Sequence, residues 1–368
     1  MKVTIVGSGL AGATAAAALK EAGAEVRVIE QKPVWGGQLR TEEANGVLYE
    51  PHGAHILHTS DHQVWKFVTE RVEMLPYRHR VMTEVGDRLL SWPPQVSELE
   101  QLPQWPGIRR ELEQRPDRAR TTNFETWCED IMGVTLYSLF IRPYTIKQWG
   151  TDPKHLAAQW APKRIELRDD GYRDLFRDTH QGWPRGGYLK LIDALLGDVQ
   201  VELGAGVSAE SFDEHVRGAD AVVLTAPLDV FFGNALGELP WRGVRLENHF
   251  IPRVDHLLPC GVVNHPGLDQ AYTRRIETKW MSGQTVKGTV VSYEYPGAPE
   301  RHYPVDDVEG RNRRLAHDYR ALVAKELGPH VHLAGRLATY TYIDMDQAVR
   351  QGLNAAARIL GQDAAAGT

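Results

Sequence analysis

The chain has 368 residues, 42% hydrophobic and 24% charged, with a formal net charge of -6. That length predicts two or three lobes rather than one simple core, the composition is ordinary for a globular protein, and the acidic balance argues against nucleic acid as a partner. No stretch approaches the roughly 20 continuous apolar residues of a membrane span, glycines break the only apolar run near the start so no secretory signal is read there, and Cys128 and Cys260 make neither a disulfide framework nor a metal cluster; the expected compartment is the cytoplasm.

Val3-Thr4-Ile5-Val6 is a short β-branched run of the kind that forms a buried parallel strand. It runs into Gly7-Ser8-Gly9-Leu10-Ala11-Gly12, a full G-x-G-x-x-G. An alanine-rich helix is expected from Ala13 to Ala22, with Gly23 at its stop, followed by a second strand, Val26-Arg27-Val28-Ile29, that ends in Glu30 and Gln31. Gly7 permits the tight turn, Gly9 lets a pyrophosphate approach the helix N-terminus, and Gly12 lets helix and strand pack closely. Glu30 stands where a carboxylate would bond ribose hydroxyls. Strand, helix, strand and acid in this order predict a dinucleotide site.

The next segment bears on which dinucleotide. Gly36-Gly37-Gln38-Leu39-Arg40-Thr41 is either a plain glycine turn or the continuation seen in glutathione-reductase-like FAD families, which it resembles. Ala221 to Pro227 resembles the strand that closes the FAD domain in those families, and Val331 to Arg336 is another strand ending in glycine. A helix from Asp346 to Ile359 could direct its N-terminus at the flavin and favour negative charge there. Between these pieces, helical patterns at Trp127 to Met132 and Thr135 to Ile141 predict a small lobe. Gly261-Val262-Val263, Thr285-Val286-Lys287 and Thr289 to Tyr293 predict strands. The predicted fold class is α/β: a discontinuous, Rossmann-like FAD domain with an inserted helical lobe and an antiparallel β-sheet substrate domain. The expected division is 1–78, 181–236 and 322–361 for the FAD domain and 93–180 for the lobe, with a mobile lid near 163–172. Residues 79–92 and 237–321 would form the sheet domain, and 362–368 a disordered tail.

Gly53-Ala54-His55-Ile56-Leu57-His58-Thr59, Tyr144 to Gly150 and Gly335 to Asp346 together resemble the bacterial UDP-galactopyranose mutase family. Gln181-Gly182-x-Pro184-x-Gly186-Gly187-Tyr188, Tyr272-Thr273-Arg274 and Tyr303-Pro304-Val305 add to the resemblance. It covers nearly the whole chain in order, leaving out only the polar stretch from about 94 to 125 and the tail. It implies an isomerase with no net redox change, in which N5 of reduced FAD attacks the anomeric carbon of a nucleotide sugar and a pyranose becomes a furanose, as in galactofuranose supply. The implied partners are a nucleotide-sugar substrate and an external reductant such as NAD(P)H; a homodimer is left open, and a role in antibiotic biosynthesis is one setting for such chemistry.

The same resemblance implies the site residues. Arg168 and Arg274 would hold the diphosphate, because guanidinium forks pair with phosphate oxygens. Tyr144 would stack on the base with Phe140, Thr145 and Trp149 around it; Tyr303 and Tyr342 would donate to phosphate, and Asn264 would touch substrate. His55 or His58 matches a histidine-bearing loop beside the flavin. Ile56, Val207, Arg336, Asp344, Met345, Asp346 and Gln347 complete the cofactor set with Gly7, Gly9, Leu10, Ala11, Gly12, Glu30, Gln31, Gly36, Gly37 and Gln38. A metal reading of His52, His55, His58 and His62 is set aside, since no cysteine or carboxylate set accompanies them.

Three departures bear on the substrate. His79 stands where the family tends to place Asn against the sugar, and His180 where it usually has Tyr. Asn248-His249-Phe250 follows Glu247 where an arginine is expected, with Arg253 as the nearest substitute. Hydroxyl patterns are discriminated strongly by hydrogen-bonding sites, so these changes point to a UDP-galactose-like substrate or to another hexose linked to GDP or dTDP. Two other readings use the same scaffold: an FAD oxidoreductase of the amine-oxidase type, and a non-catalytic flavin protein.

Overall fold

The computed structural model describes residues 1–159 and 165–362. Lys163 and Arg164 of the stretch expected as a lid, and residues 363–368 of the expected tail, lie outside the described residues.

Lys2–Val6 forms the centre of a five-stranded, wholly parallel sheet. Glu25–Glu30 and then Gln200–Leu203 flank it on one side, and Ala221–Leu224 and then Val331–Leu333 on the other. Alternation along the strands supplies two core faces: Val3, Ile5 and Val223 point into one cluster, while Val6, Val222 and Leu224 point into another. The first is covered by helix Leu10–Glu21, which packs against Tyr188–Leu196 and Met345–Ile359. On the second, helix Arg311–Glu326 buries Ala316, Tyr319 and Val323. Parallel strands need long crossovers, so every other lobe is inserted between members of this sheet.

Two glycines set how tightly it closes. A Cβ on Gly12 would sit 2.1 Å from the Gly7 carbonyl oxygen, and one on Gly352 would sit 2.5 Å from the Ala11 carbonyl oxygen and 2.8 Å from Thr14 Cβ. Helices Leu10–Glu21 and Met345–Ile359 therefore approach at backbone distance, which anchors the last helix beside the first glycine turn.

The second sheet has six strands in the order Trp241–Ile251, Thr289–Pro304, Arg274–Ile276, Val262–Asn264, Val81–Val85 and Arg88–Trp92. Every pairing is antiparallel except that of Val262–Asn264 with Val81–Val85. The strand expected at Thr285-Val286-Lys287 is a loop instead. Its carbonyls turn to a buried ammonium: Lys279 Nζ donates to Val286 at 2.5 Å, Gly288 at 3.0 Å and Asp255 at 2.9 Å. A small antiparallel sheet sets His180–Pro184 between Leu57–Thr59 and Met74–Pro76.

The helical lobe runs through Trp105–Glu113, Phe124–Met132, Val134–Leu136, a π-turn at Tyr137–Ile141, and Arg142–Trp149. Its own core includes Phe124, Trp127, Met132, Leu136, Tyr137 and Phe140. Asn123 caps the central helix by accepting from Thr126 N at 2.8 Å. Lys147 ties the lobe to the six-stranded sheet by donating to the carbonyls of His265, Gly267 and Tyr272.

Because Gly352 has no room for a side chain, Gly352→Val is expected to lower unfolding free energy by about 1–3 kcal/mol through overpacking. Urea unfolding followed by circular dichroism checks this; an unchanged midpoint would show that the two helices can part freely.

Candidate active site

A cavity of about 320 Å³ opens where the parallel sheet, the six-stranded sheet and the helical lobe meet. Gly53, His55 and Ile56 enter from the segment before strand Leu57–Thr59 and His58 from that strand; the lobe contributes Phe140, Tyr144, Thr145 and Trp149. Asn264, Arg274 and Tyr303 enter from the six-stranded sheet, and Arg336, Tyr342, Asp344 and Met345 from the segment before the last helix. Gln38, His79 and Arg168 line it as well. These residues lie hundreds of positions apart in sequence, and the fold brings them to one space.

The dinucleotide cradle lies at the C-terminal end of the central strand Lys2–Val6. Gly7 has φ 101°, and a Cβ there would strike Thr225 Oγ1 at 2.1 Å. Gly9 faces open space, with nothing within 4 Å of its ideal Cβ, while Gly37, at φ 61°, would bring a Cβ to 3.1 Å from Gly9 Cα. The two glycine turns thus lie against each other, and leave the helix start at Leu10 and Ala11 open to a phosphate. Glu30 is buried, and its carboxylate accepts from Ser8 N at 2.9 Å, Ser8 Oγ at 2.6 Å and Lys32 N at 2.9 Å. Gly36 N donates to the same serine hydroxyl at 3.3 Å. Gln31 is exposed, and Val207 packs beside Phe212 and Val216 away from the cavity.

The far end of the cavity has orphaned polar atoms. His302 Nδ1 accepts from Val244 N at 3.3 Å, so its proton is on Nε2, which is buried without a partner. His55 Nδ1 is likewise buried without a hydrogen bond, 3.6 Å from the Glu50 carboxylate. At the last helix, Gln347 accepts from Asp344 N at 3.1 Å, and Asp346 accepts from Thr59 Oγ1 at 3.2 Å. Burial pushes the Asp346 carboxyl above its ordinary range. A glycine cradle, a buried acid at the end of the second strand and unpartnered polar atoms at the far end fit FAD.

The opposite half is aromatic and cationic. Tyr303 and Tyr342 stack with ring centres 5.6 Å apart and planes 20° apart; Trp149 lies 6.2 Å from Tyr303. The Arg336 guanidinium stands 5.4 Å from the Tyr342 ring centre and donates to the His302 carbonyl at 2.8 Å. Arg274 pairs with Glu294 at 2.7 Å, yet its Nε is buried with no partner. Burial lifts the Tyr144 phenol to about 12 and Tyr303 further, so both remain hydroxyl donors at neutral pH.

Three sequence expectations meet a different arrangement. Arg168 is buried, and donates to the carbonyls of Tyr172 at 3.1 Å, Asp174 at 2.6 Å and Leu175 at 3.0 Å, with Glu166 at 2.7 Å. In this conformation its donors hold the 172–175 segment instead of facing a phosphate. His180 does not line the cavity. Strand alternation sends Gln181 inward and His180 outward, where it lies over Trp65 at 4.9 Å and meets His62 at 3.0 Å. Arg253 is exposed in a turn at φ 67° and is not among the residues that line the cavity.

His79 is in place. Its ring is 3% exposed, bonds the Tyr77 hydroxyl through Nδ1 at 3.2 Å, and burial depresses its pKa to about 3. Sequence reasoning missed Glu294, His302 and Phe176, all lining the cavity. The signal for Glu294 was a carboxylate in step with Val290 and Ser292 on a strand; His302, beside the singled-out Tyr303, carried no such signal.

The neutral histidines give a test. Burial also takes His302 to about 3. Unfolded histidine titrates near ~6.5, so below that pH the unfolded chain binds protons that the folded one refuses, and stability falls as pH drops. At pH 5 the loss is roughly 2 kcal/mol for each histidine relative to pH 7. His302→Phe should remove about half of that fall in urea unfolding, and should raise the FAD dissociation constant by about 10-fold through the lost donor. Unchanged pH dependence and unchanged FAD affinity would contradict the assignment.

The profile of the UDP-galactopyranose mutase family matches residues 139–342, and that of the NAD(P)-binding Rossmann-like domain matches residues 5–71. A probable UDP-galactopyranose mutase of Klebsiella pneumoniae is 30% identical, over 97% of this chain and 94% of the relative. A dTDP-fucopyranose mutase of Escherichia coli is 29% identical, over 96% of this chain and 97% of the relative. Among solved structures, a reduced UDP-galactopyranose mutase superposes with a TM-score of 0.81 at 17% identity, covering 98% of this chain and 95% of its own. The chain belongs to the UDP-galactopyranose mutase family and is a flavin-dependent nucleotide-sugar mutase, an isomerase.

Proposed function

We propose that the enzyme interconverts the pyranose and furanose forms of a nucleoside-diphosphate hexose other than UDP-galactose, with FAD active only when reduced by a donor such as NAD(P)H. Reduced FAD supplies a nucleophile for the anomeric carbon and leaves the substrate's oxidation level unchanged. The protein's part is to bind, orient and exclude water. Arg274 neutralises the diphosphate through Nε and the face not taken by Glu294, and Tyr303 and Tyr342 add hydroxyl donors. Tyr144, Trp149 and Phe140 enclose the base. Asn264 and His79 lie on the wall that meets the sugar.

The observation that carries the substrate proposal is His79. An imidazole held neutral by burial has one donor and one acceptor in fixed positions, and Tyr77 engages one of them. A primary amide carries two donors and an oxygen on one carbon, so the hydroxyl pattern read at this position differs. The two curated relatives, one of which bears a UDP-galactopyranose name and the other a dTDP-fucopyranose name, lie at nearly equal identity, which is consistent with a family whose sugar and base vary.

The test is turnover of UDP-, dTDP- and GDP-linked hexoses by the dithionite-reduced holoenzyme, with pyranose and furanose separated by chromatography. A kcat/KM for one of the other sugars at least about 10-fold above that for UDP-galactose is expected, equivalent to about 1.4 kcal/mol of transition-state discrimination. His79→Asn should narrow that ratio. Strong preference for UDP-galactose would overturn the substrate proposal. In the same assay Arg274→Ala is expected to lower kcat/KM by about 100-fold or more, since it also leaves Glu294 buried without its cation.

A further inference from the structure

The carbonyls held by Arg168 belong to a strap, residues 172–178, that lies against strand Leu57–Thr59 at His58. Gln181 Nε2 fastens it from below by donating to the Phe176 carbonyl at 2.9 Å, and the Tyr172 hydroxyl donates to the same oxygen at 2.8 Å. The strap delivers two side chains to one histidine. Phe176 stacks on the His58 ring at 3.5 Å with planes 10° apart, and Asp178 Oδ2 lies 2.8 Å from His58 Nδ1. Asp178 Oδ1 accepts from Ser60 Oγ at 3.2 Å, and Ser60 Oγ accepts from Thr179 N at 3.2 Å. The carboxylate is thus fixed from both ends.

That geometry decides the tautomer. The bond to His58 holds the Asp178 carboxyl below its ordinary range, so it is an acceptor only, and the proton between them is on Nδ1. His58 lines the cavity, and its Nε2 makes no hydrogen bond to the described residues. We propose that Asp178 is a positioning residue that fixes His58 as the proton carrier of the mutase reaction, with Nε2 facing the sugar. The proposal rests on the mutase activity but not on which hexose is used.

The proton balance suits a single carrier. The cycle starts from the His58 ring protonated on both nitrogens: as the ring oxygen of the sugar leaves the anomeric carbon with the bond pair, and the nucleophile already bonded to that carbon shares its lone pair in exchange, the oxygen takes the Nε2 proton and leaves the Nδ1–H tautomer that Asp178 fixes. When another hydroxyl bonds that carbon with its own lone pair, its O–H bond breaks and the proton returns to Nε2. Net uptake is zero, and the charged and neutral forms of the ring alternate. The charged form faces two carboxylates, Asp178 in contact and Asp346 from the last helix, and one neutral imidazole, His79. Phe176 blocks one ring face and keeps Nε2 in plane with the carboxylate.

The experiment uses the FAD-loaded enzyme, ¹⁵N-labelled at histidine. NMR of the wild type should show His58 protonated on Nδ1; the opposite tautomer overturns the proposal whatever the turnover, and so stands apart from any failure to find a substrate. Asp178→Asn should lower kcat by about 10- to 100-fold with KM and FAD content little changed, and should shift the pH profile. Asp178→Glu should recover most of the rate, and it keeps the question open to measurement if the amide variant does not fold. In a His58→Gln background, Asp178→Asn should cost nothing further. Wild-type kcat in Asp178→Asn, or an equal loss in both backgrounds, would show that Asp178 does not act through His58.

Discussion

Helices Leu10–Glu21 and Met345–Ile359 touch at backbone distance, because Gly352 leaves no side chain between them and Gly12 leaves none between helix and turn. That contact draws the last segment of the chain to the first. It brings Asp344 and Met345 to the cavity while the glycine turn at Gly7–Gly12 opens at the C-terminal end of the central strand. The inserted lobes start and end on strands of the same sheet, so their orientation is set by the same frame. A looser approach would separate the cradle from the aromatic wall, and no side chain of the site could compensate.

Within that frame the cavity balances charge by burial. Arg274 has a carboxylate partner but keeps Nε free, and Arg336 is held by a carbonyl below a pair of stacked tyrosines. His79 and His302 stay neutral because burial penalises their charged forms, with Arg274 near the one and Arg336 near the other adding to it. The site therefore offers donors without excess positive charge, an arrangement that suits a diphosphate bound beside a cofactor that carries its own phosphates.

Much of this was legible in the sequence. The strand–glycine–helix–strand–acid order identified the cradle, because local periodicity and one turn decide it, and the long motifs at 53–59, 144–150 and 335–346 marked cavity walls. What the sequence did not disclose are relationships across the fold. The three carbonyl partners of Arg168 have no local signal, since a charged residue in a polar stretch carries no sign of burial. His180 reads as a sugar contact until strand register turns it outward. Asp178 carries no local signal at all, since its meaning depends on a histidine 120 positions away. Thr285 to Lys287 shows the converse error, a β-prone run diverted by the ammonium of Lys279.

In the proposed reaction the flavin must be reduced and yet is not consumed as a reductant. The direct measurement is anaerobic turnover of a nucleotide hexose with a counted amount of dithionite, following furanose formation together with flavin absorbance. Many product molecules per electron pair supplied are expected, with a flavin that stays bleached throughout and no conversion by the oxidised enzyme. One equivalent of reductant used per product, or activity with oxidised FAD, would contradict the proposal.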